Sequence, residues 1–240
     1  MPRAALLTTT LLLIGLSLGA CFADPDYVRA RADERMYAQI RDKESKRTRE
    51  LIGDAARYYT NGDFSRMLAL VAPRAGDRCS YPCGYGVPQY FLGRMYDAGE
   101  GVAQDYAEAR RWYLSATQLG DGTYDDFRFY DAWFNLGTLY YFGRGGPVDY
   151  AQAAKMYAYA ADHGVPDAQV NLGAMYGNGQ GVKEDFVQSL KWFTIAAKSF
   201  PDSEKAKRDT AASNRDRIAA VMTPAEIAEA NKLAEVFLRR

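Results

Sequence analysis

An all-α stack of helical hairpins, closed at each end by capping helices, is the fold that the sequence predicts, and three observations predict it. A pattern of Leu-Gly, Tyr, Gly-x-Gly, Asp, a bulky pair and Ala recurs three times with constant internal spacing. Within each copy the apolar residues step by three and four, which is the period of one helix face. Between the two apolar runs stand glycines and an aspartate, the residues at which a chain stops one helix and starts another.

The first copy is Leu92-Gly93, Tyr96, Gly99, Gly101, Asp105, Trp112-Tyr113 and Ala116. The second is Leu136-Gly137, Tyr140, Gly143, Gly145, Asp149, Met156-Tyr157 and Ala160, and the third is Leu172-Gly173, Tyr176, Gly179, Gly181, Asp185, Trp192-Phe193 and Ala196. Leu136 and Leu172 are 36 residues apart, whereas Leu92 and Leu136 are 44 apart. The extra 8 residues lie between Gly120 and Ala132, so one inter-repeat loop is enlarged and the register is kept.

Each repeated position has a physical reason. A glycine inside a helix costs on the order of 1 kcal/mol against alanine, so Gly93, Gly137 and Gly173 require a compensating close approach of a second helix. Gly99 and its counterparts close the first helix in the left-handed conformation. Asp105, Asp149 and Asp185 then cap the next helix, where a carboxylate accepts from free amides at the positive end of the dipole. In that second helix Tyr106, Ala109, Trp112-Tyr113 and Ala116 share one face, as do Tyr150, Ala153, Met156-Tyr157 and Ala160, and Phe186, Ser189, Trp192-Phe193 and Ala196. Their rings fill the layer between hairpins.

These residues resemble the Sel1-like repeats, a subgroup of the tetratricopeptide-like α-solenoids, over about residues 88 to 198. Met156 stands where the pattern has Trp, and Pro88 where it has Ala. The resemblance implies a right-handed superhelix whose concave side, lined by first helices, binds other proteins.

The remaining segments follow in order. Residues 1–20 carry Arg3 and then a mostly apolar run from Ala4 to Leu18, too short to span a membrane comfortably, as in a secretory signal peptide. Leu18-Gly19-Ala20-Cys21 resembles the lipobox of bacterial lipoproteins, which implies that Cys21 is acylated after cleavage; ordinary cleavage after Ala20 or Ala23 is the alternative. Phe22 follows the cysteine where inner-membrane retention would favour Asp, so the expected site is the periplasmic face of the outer membrane, or otherwise soluble in the periplasm or secreted. Residues 21–50, rich in both charges, form a tether or a solvated helix.

Residues 51–87 contain a helix, the Asn61-Gly62-Asp63 turn and a second amphipathic helix, a degenerate hairpin suited to cap the stack. Repeats follow at 88–120, 132–164 and 165–199, with the inserted loop at 121–131. Residues 200–240 supply C-terminal capping helices; Thr223-Pro224-Ala225-Glu226 marks a helix start with a capping box.

The chain has three cysteines. With Cys21 carrying lipid, Cys79 and Cys83 remain, close enough across a tight turn for a structural disulfide in an exported protein. Two thiolates with no adjacent His make a poor metal shell, and no strand pattern supports a redox Cys pair.

Thirty basic and thirty acidic side chains give no net field for nucleic acid. His163 is the sole histidine and falls at a predicted helix end, where it suits the dipole; no Ser-His-Asp or zinc constellation can be assembled around it. The recurrent aspartates are occupied as caps. The expectation is therefore a non-enzymatic scaffold with no cofactor, binding envelope proteins in its groove. Phe91, Arg94, Asn135, Thr138 and Asn171 are the candidate partner-binding residues, since they lie off the Leu-Gly-Tyr packing face. The alternatives are a periplasmic enzyme of β-lactam or cell-wall chemistry, suggested for cysteine-rich relatives that carry a Cys pair in each repeat as this chain does not, and a scaffold of an exopolysaccharide export machine.

Overall fold

The computed structural model describes residues 46, 50, 51, 53–75, 86–118 and 130–239, and all regular structure among them is helical. In chain order the helices are α1 (53–60), α2 (Phe64–Ala75), α3 (Val87–Ala98), α4 (Tyr106–Gln118), α5 (Tyr130–Phe142), α6 (Tyr150–Asp162), α7 (Pro166–Asn178), α8 (Phe186–Ser199), α9 (Lys205–Ala219) and α10 (Pro224–Leu238). No described helix is long and apolar enough to cross a membrane. Successive helices pack on one another from α2 to α9, giving the all-α solenoid of hairpins that the repeat predicts.

One turn geometry closes each of the three repeats. The amide of the capping aspartate donates to the carbonyl of the tyrosine near the end of the first helix: Asp105 to Tyr96 at 2.9 Å, Asp149 to Tyr140 at 3.0 Å and Asp185 to Tyr176 at 3.0 Å. The aspartate side chains accept from the next helix as expected, from Glu108 at 3.1 Å, Gln152 at 2.9 Å and Gln188 at 2.9 Å. The N-terminal pair α1 and α2 has a shorter turn, with Asp63 N bonded to Tyr58 O at 2.9 Å five residues back where the repeats span nine, and Asp63 Oδ1 accepts from Arg66 N at 3.2 Å as a cap. It is a fourth, degenerate hairpin, and Phe64 beneath Gly101 keeps it in register with the other three.

Inside each hairpin the Leu-Gly glycine is the notch for a ring. A Cβ on Gly93 would lie 2.5 Å from the Tyr113 ring, one on Gly137 2.9 Å from Tyr157, and one on Gly173 3.2 Å from Phe193. Ala55 occupies the same place in the first hairpin and is fully buried.

Between hairpins the second glycine of Gly-x-Gly has a role beyond reversing the chain. It lies against the first turn of the preceding hairpin's second helix: Gly101 on Phe64, Gly145 on the Tyr106 carbonyl and Gly181 on the Tyr150 carbonyl. At Gly145 and Gly181 a Cβ would overlap main-chain atoms that cannot move without unwinding a helix. All three glycines also have φ near +70°.

After α8 the rule changes. The α9 and α10 helices each pack on α8 and touch one another little, so they are two separate caps and not a fifth hairpin. The capping box starts α10 as predicted, with Thr223 N bonded to Glu226 Oε2 at 2.8 Å. Ala230 and Ala234 are its buried positions, and Phe237 meets Trp192 edge-on at 5.4 Å.

Gly62 and Gly145 both have φ close to +70°, but a Cβ on Gly62 would meet nothing within 4 Å. Gly62→Ala should therefore cost only the backbone strain, about 1 kcal/mol. Gly145→Ala adds overpacking against a helix backbone and should cost at least about 3 kcal/mol, read by urea unfolding of both variants. Equal losses would mean that the inter-hairpin seat does not bear on stability.

Candidate functional site

The first-helix side of the stack, built by α3, α5 and α7, was the predicted docking surface, and its chemistry begins with two tyrosines that come from the other layer. Tyr113 of α4 and Tyr157 of α6 pass their rings over the glycine notches and bring their hydroxyls out among the first helices. The Tyr113 hydroxyl donates to Asp97 Oδ2 of its own hairpin at 3.3 Å and accepts from Asn135 Nδ2 of the next at 3.3 Å. The Tyr157 hydroxyl repeats the arrangement one layer on, with Thr138 of its own hairpin at 3.1 Å and the Asn171 amide of the next beside it. Each tyrosine is thus a clip between two layers.

Burial pushes both phenols above the usual tyrosine range, and for Tyr113 the neighbouring Asp97 charge adds to the rise. Asp97 is itself raised by burial, against the lowering effects of the Tyr113 hydrogen bond and of Arg144 and Arg94. Asp131 is raised chiefly by desolvation and also by Asp167, with Arg94 opposing. Arg94 anchors the other end, donating to the Tyr59 hydroxyl at 2.6 Å with its guanidinium 4.2 Å from the centre of that ring. At the far end Lys207 pairs with Asp167 at 3.0 Å.

Of the five residues expected to meet partners, Phe91 is corrected outright. It is 5% exposed, in the core beside Tyr90 at 5.4 Å between ring centres. Its place off the Leu-Gly-Tyr stripe turns it toward the preceding hairpin and away from water. Arg94, Asn135, Thr138 and Asn171 are half-buried and lie along the first-helix side, but engaged within the fold: Arg94, Asn135 and Asn171 meet tyrosines of the preceding hairpin and Thr138 meets Tyr157 of its own. Asn135 and Asn171 recur at the repeat period next to the tyrosines, a signal that the sequence held. Cys21, Cys79, Cys83 and most of the 121–131 loop lie outside the described residues.

His163 is the C-cap of α6, as placed from the sequence, with Nδ1 2.7 Å from the Tyr159 carbonyl. It also stacks on Tyr130 at 4.2 Å, while Trp133 stacks on Tyr159 at 4.0 Å, an aromatic cluster that joins α5 to α6 and was not foreseen. Among the described residues no group of three or more His, Cys, Asp or Glu could hold a metal ion.

Comparison with known proteins agrees with this geometry. The Sel1 repeat family matches residues 89–121, 131–165 and 166–199, the same three segments that carry the pattern. A solved Sel1 repeat protein from Oxalobacter formigenes is similar at 25% identity and a TM-score of 0.52, over 62% of this chain and 56% of that one. The c5321 protein, a protective antigen of uropathogenic Escherichia coli strains with an SLR fold, aligns at 20% identity and a TM-score of 0.43, over 93% of this chain and 62% of that one. The chain therefore spans less than two thirds of either structure. No curated protein matches it.

Tyr157→Phe removes one clip and leaves Thr138 and Asn171 facing a ring edge, which should cost about 1–3 kcal/mol in urea unfolding. A loss within error of zero would show that the hydroxyl is only solvated. The raised carboxyl of Asp97 supplies a pH signature. The folded chain holds this proton more tightly than the unfolded chain, so stability rises as pH falls through the folded value and the cost of the buried charge is fully present above it. Asp97→Asn is neutral throughout. Its unfolding free energy should vary less with pH than the parent's just above the ordinary aspartate range, and parallel curves would refute the assignment.

Proposed function

We propose that this protein is a non-enzymatic scaffold of the bacterial envelope, tethered to the outer membrane through lipid on Cys21 and docking partner proteins along the first-helix side of its Sel1-like repeats. The observation that carries the reading is the sustained register of four hairpins. It makes the first helices one rigid surface, and rigid preformed surfaces lose little entropy on binding. The repeated aspartates are engaged as caps and the tyrosines as clips, so the recurrent polar residues are accounted for by architecture. Partner recognition then falls to groups between the clips that keep solvent access while their charge is partly desolvated, such as Asp131. The apolar leader ending in Leu18-Gly19-Ala20-Cys21 supports export and acylation, and residues 21–50 supply the reach from the membrane.

Two measurements test the reading in a bacterial host. A photo-crosslinking amino acid at Asp131, on the first-helix side, should yield a discrete protein adduct, and the same group at the exposed Lys155 of α6 should not. Cys21→Ala should move the chain from the detergent phase to the aqueous phase on partitioning. Adducts that are absent or equal at the two positions overturn the docking surface, and unchanged partitioning overturns the anchor.

A further inference from the structure

The turn of repeat 2 contains a glycine that the other two turns lack. Directly after the seated glycine, repeats 1 and 3 have Val102 and Val182, both half-buried against the core, whereas repeat 2 has Gly146. Its backbone is not left-handed, so conformation does not call for glycine there. Space does. A Cβ on Gly146 would overlap Nη1 of Arg110, which reaches up from α4 of the preceding repeat. The helix beneath is changed to match: Arg110 stands four residues after Tyr106, and the residues at the same place after Phe64 and Tyr150 are Leu68 and Ala154. Leu68 shares a core cluster with Val102, and Ala154 with Val182. Two junctions thus set an apolar residue below a valine, and the middle one sets an arginine below a glycine.

Arg110 is held there by shape and not by an ion pair. Its guanidinium lies 3.9 Å from the centre of the Tyr140 ring of α5, and Nη2 donates to Pro147 O at 3.5 Å. Glu108, the nearest acid along the chain, pairs with Arg111 instead, and no carboxylate among the described residues comes within ion-pair distance of Arg110. Its Nε is enclosed. A flat guanidinium fits between a ring face and a bare main chain, which a compact, strongly hydrated ammonium does not.

We infer that Arg110 and Gly146 are a key and its notch, a conformational device that fixes how repeat 2 stacks on repeat 1. The two repeats are joined through residues 119–129, against residues 163–165 between α6 and α7, and a longer connection restricts the approach of the next helix less. Contacts across the junction must then set the register. Arg110 does so because its place is bounded by Tyr140 on one side and by Gly146 and Pro147 on the other. It also selects its neighbour, since the turns of repeats 1 and 3 would meet it with Val102 or Val182 where only glycine leaves room. The pair acts whatever the first-helix side binds.

The test is a double-mutant cycle on the full chain, followed by urea unfolding, with Arg110→Ala and Gly146→Val transplanting the pair found at the next junction. Gly146 precedes Pro147, where extended backbone suits valine. Arg110→Ala should lower the folding equilibrium constant about tenfold, and Gly146→Val should lower it by a similar factor by expelling the guanidinium. Added to Arg110→Ala, however, Gly146→Val should leave stability level or raise it, because the valine then fills the space that the arginine has left. Arg110→Lys keeps the charge and should lose about as much as Arg110→Ala. The same loss from Gly146→Val in both backgrounds, or parental stability of Arg110→Lys, overturns the proposal. If Gly146→Val alone does not fold, the double variant decides: its folding is the expected result, and its failure to fold overturns the pairing.

Discussion

The stack depends on one contact, the seating of a glycine main chain on the first turn of the preceding helix. Side-chain interfaces tolerate substitution because rings and methyls can repack, but Gly145 and Gly181 press on carbonyl groups that belong to helical hydrogen-bonded turns. The contact therefore fixes the distance between layers. Everything else is arranged within that spacing. Tyr113, Tyr157 and Phe193 each lie over the Leu-Gly notch of their own hairpin, and the two tyrosines reach on to the next layer through their hydroxyls. The aspartate cap sets where the second helix begins, so the turn that bears the next glycine is delivered to the same place each time.

With the spacing set by backbone, the first-helix side acquires its polarity from residues that arrive from below. A buried phenol must find partners for its hydroxyl. Tyr113 and Tyr157 solve this by reaching through to Asp97 and Asn135, and to Thr138 and Asn171. Those polar groups are then no longer free to change partners. A binding surface made in this way is rigid, and its specificity has to come from the exposed residues between the clips and from the irregular places where the repeat lapses. Repeat 2 shows one such lapse, because Phe142 and Val148 are exposed where repeat 3 has Asn178 and Glu184.

Much of the fold was legible because the repeat states its own constraints three times. The caps at Asp105, Asp149 and Asp185, the notch glycines and the Thr223 capping box all act within a few residues of themselves, so local spacing reveals them. The second glycine of Gly-x-Gly was read as part of a turn, because its other partner is 31 to 39 residues upstream and a sequence does not show which segment of chain lies beneath a loop. Phe91 failed for a related reason. Its helix has neighbours on more than one side, and a single stripe of Leu, Gly and Tyr describes only the side that meets its own hairpin. Gln89 and Gln169 also went unread. Each donates to the last turn of the preceding second helix, at Ala75 O and Ala161 O, and repeat 2 has Trp133 there instead.

That substitution belongs to the aromatic cluster, and junction length does not decide it: a glutamine reaches back to the previous helix both across residues 76–86, from Gln89 to Ala75 O, and across residues 163–165, from Gln169 to Ala161 O. In repeat 2 Trp133 turns instead onto Tyr159 of its own hairpin while Tyr130 covers His163. Stacking within the hairpin replaces a hydrogen bond between hairpins, so α5 is held to α6 by four rings at the end where its tie to α4 is different. An inserted loop can be accommodated at such a junction because the register is carried elsewhere, by Gly145 on Tyr106 and by the Tyr113 clip to Asn135.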